Sequence, residues 1–247
     1  MRDLTVILPT FNEDENIGNI TTEILRIFQV EKIDGELLVV DDDSQDKTIE
    51  IMQSFETRYD NVRLIIRKSD HGLSQSVVEG LGHADADIIL VMDADFSHPL
   101  DLIKVLFHHI REGNDLVIGS RYLKGGSIKK WPLKRKILSF GATILGRFLY
   151  PPVTDPVSGF FAIKKQVVDT AILKPRGYKI LLEIIGKGNW DKFSEIPYEF
   201  SDRDKGKSKL TFKIIVLYVL QFTDIVQFTF STKNNACWRY WKNLFSI

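Results

Sequence analysis

The sequence predicts an α/β fold, a mostly parallel central sheet with helices on both faces. Three observations predict it. Along the first 120 residues, short continuous apolar runs alternate with longer amphipathic segments, the pattern of doubly buried strands between covering helices. Four of those runs lead directly into polar clusters: Phe11-Asn12-Glu13, Asp41-Asp42-Asp43-Ser44, Asp93-Ala94-Asp95 and Ser120-Arg121-Tyr122. The 247 residues are 44% hydrophobic and 27% charged, enough for a substantial core and too apolar for long disorder. In open parallel sheets ligands bind beyond the carboxyl ends of the strands, so the polar clusters mark a site there.

Each element has a local reason. Residues 4–9 are a continuous run rich in Val and Ile, a strand buried on both faces. Residues 12–30 form a helix with Ile17, Ile20, Ile24, Leu25, Ile27 and Phe28 on one face. Strand 36–40 precedes helix 46–55, capped by Asp46 or Ser44. Strand 62–66, helix 73–84 and strand 87–92 continue the alternation. Helix 99–110 carries Pro99 in its first turn, and 115–119 is the fifth strand. The second half is less regular: helix 137–149, strand 158–163, helix 178–186, strand 195–200. With no internal repeat or low-complexity linker, one domain spans 1–210 and residues 211–247 form a C-terminal appendage, an apolar helix with an aromatic and basic tail.

Net charge is zero but divided. Residues 1–120 hold 24 Asp and Glu against 10 Lys and Arg; residues 121–247 hold 9 against 23. An acidic half can face a divalent cation, and a basic half can face phosphates or an anionic membrane. Residues 124–136 carry six Lys or Arg and no acid, around Trp131 and Pro132. The single Cys237 excludes an internal disulfide framework and a cysteine zinc site. The strand-like N-terminus lacks the apolar core of a secretory signal, so the expected place is the cytosol or the cytosolic face of a membrane. Residues 212–230 approach membrane-helix length, but Gln221, Asp224 and Gln227 interrupt them. An Asp in mid-span costs about 3 kcal/mol, so the segment reads as interfacial rather than spanning.

Asp93 and Asp95, two residues apart at a strand end, can reach one side once the chain leaves the pleat. Such a pair is unfavourable unless a cation neutralises it, and Mg²⁺ or Mn²⁺ suits hard oxygen ligands with phosphates completing the shell. The competing reading has one Asp capping the next helix and the other solvated. His98 either joins the metal neighbourhood or starts the helix. In Asp41-Asp42-Asp43-Ser44 a carboxylate can accept from a nucleobase or ribose, or the residues simply build a turn. Arg121, Arg135, Arg203 and Lys209 offer phosphate-binding donors. No Gly-x-Ser-x-Gly elbow supports a serine hydrolase. A nucleic-acid partner would use the basic half but leave the acidic strand ends unexplained, so none is expected.

Taken together with Pro9-Thr10-Phe11-Asn12-Glu13 and Arg203…Gly206-Lys207-Ser208-Lys209, these clusters resemble family 2 glycosyltransferases over residues 3–215. They are most similar to the branch that mannosylates dolichyl and other polyprenyl phosphates. The resemblance implies a GT-A fold and inverting transfer of mannose from GDP-mannose to a lipid phosphate at a membrane surface. It leaves room for a membrane-anchoring partner subunit. It implies that Pro9, Phe11, Glu13, Val40 and Asp42 line the nucleoside pocket, and that Asp93, Asp95 and Ser97 surround Mg²⁺ or Mn²⁺ with Ala94 against the nucleotide. It further implies that Arg121, Arg203 and Lys209 meet phosphates and sugar, that Arg135 meets the lipid phosphate, and that Asp95, Arg121, Arg135 and Arg203 form the catalytic set. Asp155, Ser158-Gly159-Phe160 and Glu183 match further family positions. Phe11 replaces a usual Tyr, so base stacking must serve without a hydroxyl. Asp43 replaces a turn Gly, and Ser74 and Ser76 interrupt a usual Gly-Leu-Gly-x-Ala. Phe161 stands where an Arg is frequent, a position bearing on specificity. UDP-glucose as donor, and nucleotide-sugar binding without turnover, are the alternatives.

Overall fold

The computed structural model describes residues 2–129, 131, 133–175, 178–201, 212–232 and 235–245. β1 (Leu4–Thr10), β2 (Gly35–Asp41), β3 (Val62–Ile66), β4 (Ile88–Val91) and β5 (Leu116–Ser120) alternate with α1 (Ile17–Glu31), α2 (Thr48–Arg58), α3 (Leu73–His83) and α4 (Leu102–Arg111). The second half adds β6 (Ser127–Lys129), α5 (Leu133–Arg147), β7 (Phe161–Lys164), α6 (Ile180–Lys187), β8 (Phe193–Pro197), β9 (Glu199–Ser201), α7 (Phe212–Thr232) and α8 (Ala236–Phe245).

The main sheet has the order β3-β2-β1-β4-β7-β5-β8. All pairings are parallel except those of β7, which is antiparallel to β4 and β5. From β1 the chain builds outward to β3 and then returns to the other side of β1 as β4. That reversal opens a crevice beyond the carboxyl ends of β1 and β4, where α/β sheets bind ligands. Because side chains alternate across the pleat, the sheet separates two cores. Leu4, Val6, Leu8, Leu37 and Val39 face α1, α2 and α4. Ile7, Leu38 and Val40 face α3, and the same layer continues through α6 to Ile225 of α7 and Cys237 of α8.

Where the observed elements differ from expectation, side-chain bonds explain it. Residues 12–16 are not helical, because the Asn12 and Glu13 amides donate to Ser44 Oγ and Thr48 Oγ1, both at 2.8 Å. Asp46, not Ser44, receives the α2 amide of Thr48 (2.9 Å). Strand 158–163 shortens because Phe160 N–H donates back to Ser158 Oγ (3.1 Å). Strand 195–200 divides at Tyr198 between the main sheet and a parallel β6–β9 pair. The helix expected from residue 137 begins at Leu133, so the basic residues 134–136 lie in the first turn of α5 rather than ahead of it. Among the described residues no helix is long and apolar enough to cross a membrane. Asp224 does not face out of α7. It pairs with Lys187 (2.7 Å) and Lys174 (3.3 Å), and Lys187 also holds Glu183 (2.8 Å).

Candidate active site

One backbone feature is shared by four loops at the carboxyl edge. Asn12, Asp43, Asp70 and Phe96, which follow β1, β2, β3 and β4, have φ of 56°, 61°, 50° and 58°. Asn and Asp tolerate the left-handed region. Phe does not, and such a residue costs on the order of 1–3 kcal/mol unless its surroundings compel it. Among the described non-glycine residues only Lys32, which ends α1, shares this feature elsewhere, so the strain is concentrated at that edge of the sheet.

At the β1–β2 end, Asp41 builds the turn: it accepts from Ser44 N–H and O–H (2.7 Å each) and from Thr10 O–H (2.8 Å). Asp42 points elsewhere. It pairs with Arg67 and accepts from Gly72 N–H (2.6 Å) and Ser76 O–H (3.1 Å). Asp42 and Arg67 are both buried, so the paired carboxylate is held in one orientation. Ser76, one of the departures from the family pattern, thus has a definite task. Above this pair Phe11 is exposed and Pro9 half-buried, while the side chain of Val40 lies wholly in the core beneath. Glu13 accepts from Asn16 Nδ2 (3.3 Å).

The Asp93/Asp95 pair leaves β4 with both side chains half-buried and Ala94 buried between them. Asp95 Oδ1 accepts the amide of Ser97 (3.0 Å). Ser97 Oγ is buried without a hydrogen-bond partner among the described residues. Gly159 lies alongside: a Cβ there would come 3.5 Å from Asp93 Oδ2. His98 faces Asp93, with its Nε2 3.9 Å from Asp93 Oδ2. Its Nδ1 accepts from Asp93 N–H (3.1 Å) and its ring stacks on Phe160 (5.0 Å). Burial pushes it down to about 3, so it stays neutral. Its folded pKa lies below the unfolded value near 6.5, so the unfolded chain binds the extra proton and stability falls as pH drops from about 6.5 toward 3. The slope is at most about 1.4 kcal/mol per pH unit. Urea midpoints at pH 7 and 5 should show this loss, and His98→Gln should reduce it.

Arg121 leaves β5 and is gripped by Asp155, through Nε (2.7 Å), Nη2 (2.8 Å) and its own amide (3.1 Å). Both side chains are almost wholly buried. Burial lowers the Arg121 pKa, and Asp155 more than restores it. The edge that meets Asp155 is closed to a ligand, which limits the phosphate contact expected of Arg121 to the rest of its fork. Lys179, at the start of α6, donates to Val157 O (3.1 Å). Burial and Arg121 push it down to about 8, and Asp155, Asp93 and Arg135 also act on it. Three loop residues therefore tie the site together: Asp155 holds Arg121, Val157 receives Lys179 and Gly159 flanks Asp93. Arg135 stacks on Trp131, with Cζ 4.1 Å from the ring centroid. Beside it, Arg121, Tyr122, Ile128, Lys136, Ile137 and Phe140 line a groove of about 390 Å³. Arg203 and Lys209 lie outside the described residues. Phe161 is fully buried in the core.

Sequence reading missed Arg67 and Lys179. Arg67 had a signal, since Arg67-Lys68 follows the third apolar run as the polar clusters follow the others. Lys179 had none, because its neighbours come from distant segments.

Residues 5–171 match the model of glycosyl transferase family 2. The chain is 43% identical over 219 residues to the dolichol-phosphate mannosyltransferase of Pyrococcus furiosus, over 87% of this chain and 61% of that protein. It therefore spans about three-fifths of that relative's length. To the dolichol-phosphate mannosyltransferase of Saccharomyces cerevisiae it is 32% identical, over 98% of this chain and 94% of that protein. A solved structure of glucosyl-3-phosphoglycerate synthase from Mycobacterium tuberculosis, in complex with Mn²⁺, UDP-glucose and phosphoglyceric acid, matches with TM-score 0.67. At 17% identity, over 91% of this chain and 78% of that one, the likeness is one of fold.

Proposed function

The chain belongs to glycosyl transferase family 2, and on that premise we propose that it transfers mannose from GDP-mannose to a polyprenyl phosphate such as dolichyl phosphate, with inversion. The observation that carries this reading is that Asp93, Arg121 and Arg135 all act electrostatically on Lys179, and that Asp95 and Arg121 both act on His98, beyond the carboxyl ends of β4 and β5. A diphosphate donor and a phosphate acceptor are the ligands such an arrangement fits.

Phe11 stacks on the base, and Asp42, fixed by Arg67, accepts from its N–H edge. Two carboxylates beside a Ser97 hydroxyl that has no hydrogen-bond partner among the described residues suit Mg²⁺ or Mn²⁺. Among the described residues no three His, Cys, Asp or Glu side chains form a protein-only metal cage, and such ions complete their shell with water and substrate phosphate. Asp93, Asp95 and Ser97 would hold the metal, which when bound supplies charge neutralisation for the departing diphosphate. Arg135 and Lys179 orient the acceptor. One of its phosphate oxygens forms the new bond to the anomeric carbon as the bond to GDP breaks on the opposite face. That oxygen is already ionised near pH 7, so no side chain need act as base. Arg203 and Lys209, with Arg121, are proposed to meet the phosphates and sugar of the donor.

The acceptor's tail requires a lipid surface, and α5 supports one. Ile137, Phe140 and Ile144 form an exposed stripe along it, continued by Phe148 just past its end and starting next to its cationic first turn. Residues 211–247 are proposed to join this membrane face at the cytosolic side, with or without an anchoring partner subunit. Phe140→Glu should cut flotation with anionic liposomes several-fold while leaving GDP binding unchanged. Purified protein is to be assayed with labelled GDP-mannose or UDP-glucose, a polyprenyl phosphate and Mg²⁺ or Mn²⁺. Label entering the organic phase from GDP-mannose is the expected result. Transfer from UDP-glucose alone would move the donor, and label staying aqueous with every donor would indicate binding without turnover.

A further inference from the structure

Trp131 stands four residues before Arg135, just ahead of α5. Helical side chains lean toward the helix N-terminus, which carries Arg135 back across the indole, Cζ 4.1 Å from its centroid. Arg121 Cζ lies 5.8 Å from the same centroid. The indole is fixed from behind, edge-on to Phe200 at 5.3 Å and packed against the core. Two further facts separate Trp131 from an ordinary packing residue. Its Nε1 is buried with no hydrogen-bond partner among the described residues, although buried indole N–H groups ordinarily find one. A Phe or Leu would pack there without leaving a donor unsatisfied. In addition, Arg135 occupies the first turn of a helix with no acid in that turn, where the helix dipole opposes a cation.

We propose that Trp131 is a positioning residue for the acceptor: its indole face holds the Arg135 guanidinium so that the N–H edge, not the face, meets the lipid phosphate. A guanidinium stacked on a ring keeps its donors in plane for bidentate phosphate binding. This role rests on the reading of Arg135 as the acceptor-phosphate residue.

The test measures binding of farnesyl phosphate and, separately, of GDP by calorimetry on the full chain, alongside label transfer. Trp131→Leu should weaken farnesyl phosphate binding roughly 3- to 30-fold and leave GDP binding unchanged. Trp131→Phe, which keeps a ring face, should recover most of the loss. In an Arg135→Ala background, Trp131→Leu should add nothing. In turnover, the KM for lipid phosphate should rise while the donor KM holds. The proposal is overturned if wild type binds no farnesyl phosphate, or if Trp131→Leu binds it as wild type does. It is equally overturned if GDP binding falls in parallel, if Phe is as damaging as Leu, or if the effect persists without Arg135. Wild-type protein that shows the binding pattern yet transfers no mannose would sink the proposed reaction and leave the positioning role standing. Normal transfer with an indifferent Trp131→Leu would do the reverse.

Discussion

Asp95→Ala should lower metal-dependent transfer by about 10³-fold or more while the protein remains folded. Removing one precisely aimed electrostatic contact to a transition state costs about 10²–10³-fold, and this substitution removes a metal ligand as well. Stability should change by less than about 1 kcal/mol, because Asp95 is half-buried beside a like-charged Asp93 and its loss relieves repulsion. Turnover against Mn²⁺ concentration, with thermal unfolding alongside, checks both halves. Unchanged turnover would remove the proposed metal site.

Asp155→Ala should have the largest effect on stability. It strands the Arg121 guanidinium, which is buried and cannot shed its proton. Breaking such a pair costs about 3–5 kcal/mol, roughly 10 °C in Tm for a chain of this length. Turnover should fall too, since the loop from Asp155 to Gly159 also receives Lys179 and flanks Asp93. The double variant Arg121→Met/Asp155→Leu separates the two consequences. It should recover most of the stability, as apolar replacement of a buried pair commonly does, without recovering turnover. Recovery of both would reduce the pair to a structural clamp.

The first half of the fold was legible because its information is local. Each strand is a continuous apolar run, each helix has a periodic face, and the polar residues at the strand ends need only chain order to be brought together. Asp93, Asp95 and Phe11 could be placed at strand ends that way, and Arg67 could have been. The second half is built from distant pairings. Arg121 meets Asp155 across 34 positions, and Lys187 meets Asp224 across 37. Nothing local announces that Asp224 faces α6 rather than lipid, or that Lys179 sits among Arg121, Asp155 and Asp93. β7 runs antiparallel between two parallel neighbours, a choice set by how the sheet closes rather than by its four residues. β6 carries Ser127 and Lys129 on an exposed edge, with too little apolar content to read as a strand.

The central claim is that Asp93 and Asp95 hold a divalent cation against the donor diphosphate. Crystals grown with GDP-mannose and Mn²⁺, measured at the manganese absorption edge, test it most directly. The account predicts one anomalous peak bridging carboxylate oxygens of both residues and the donor phosphates. Bound donor with no manganese beside either carboxylate would contradict it.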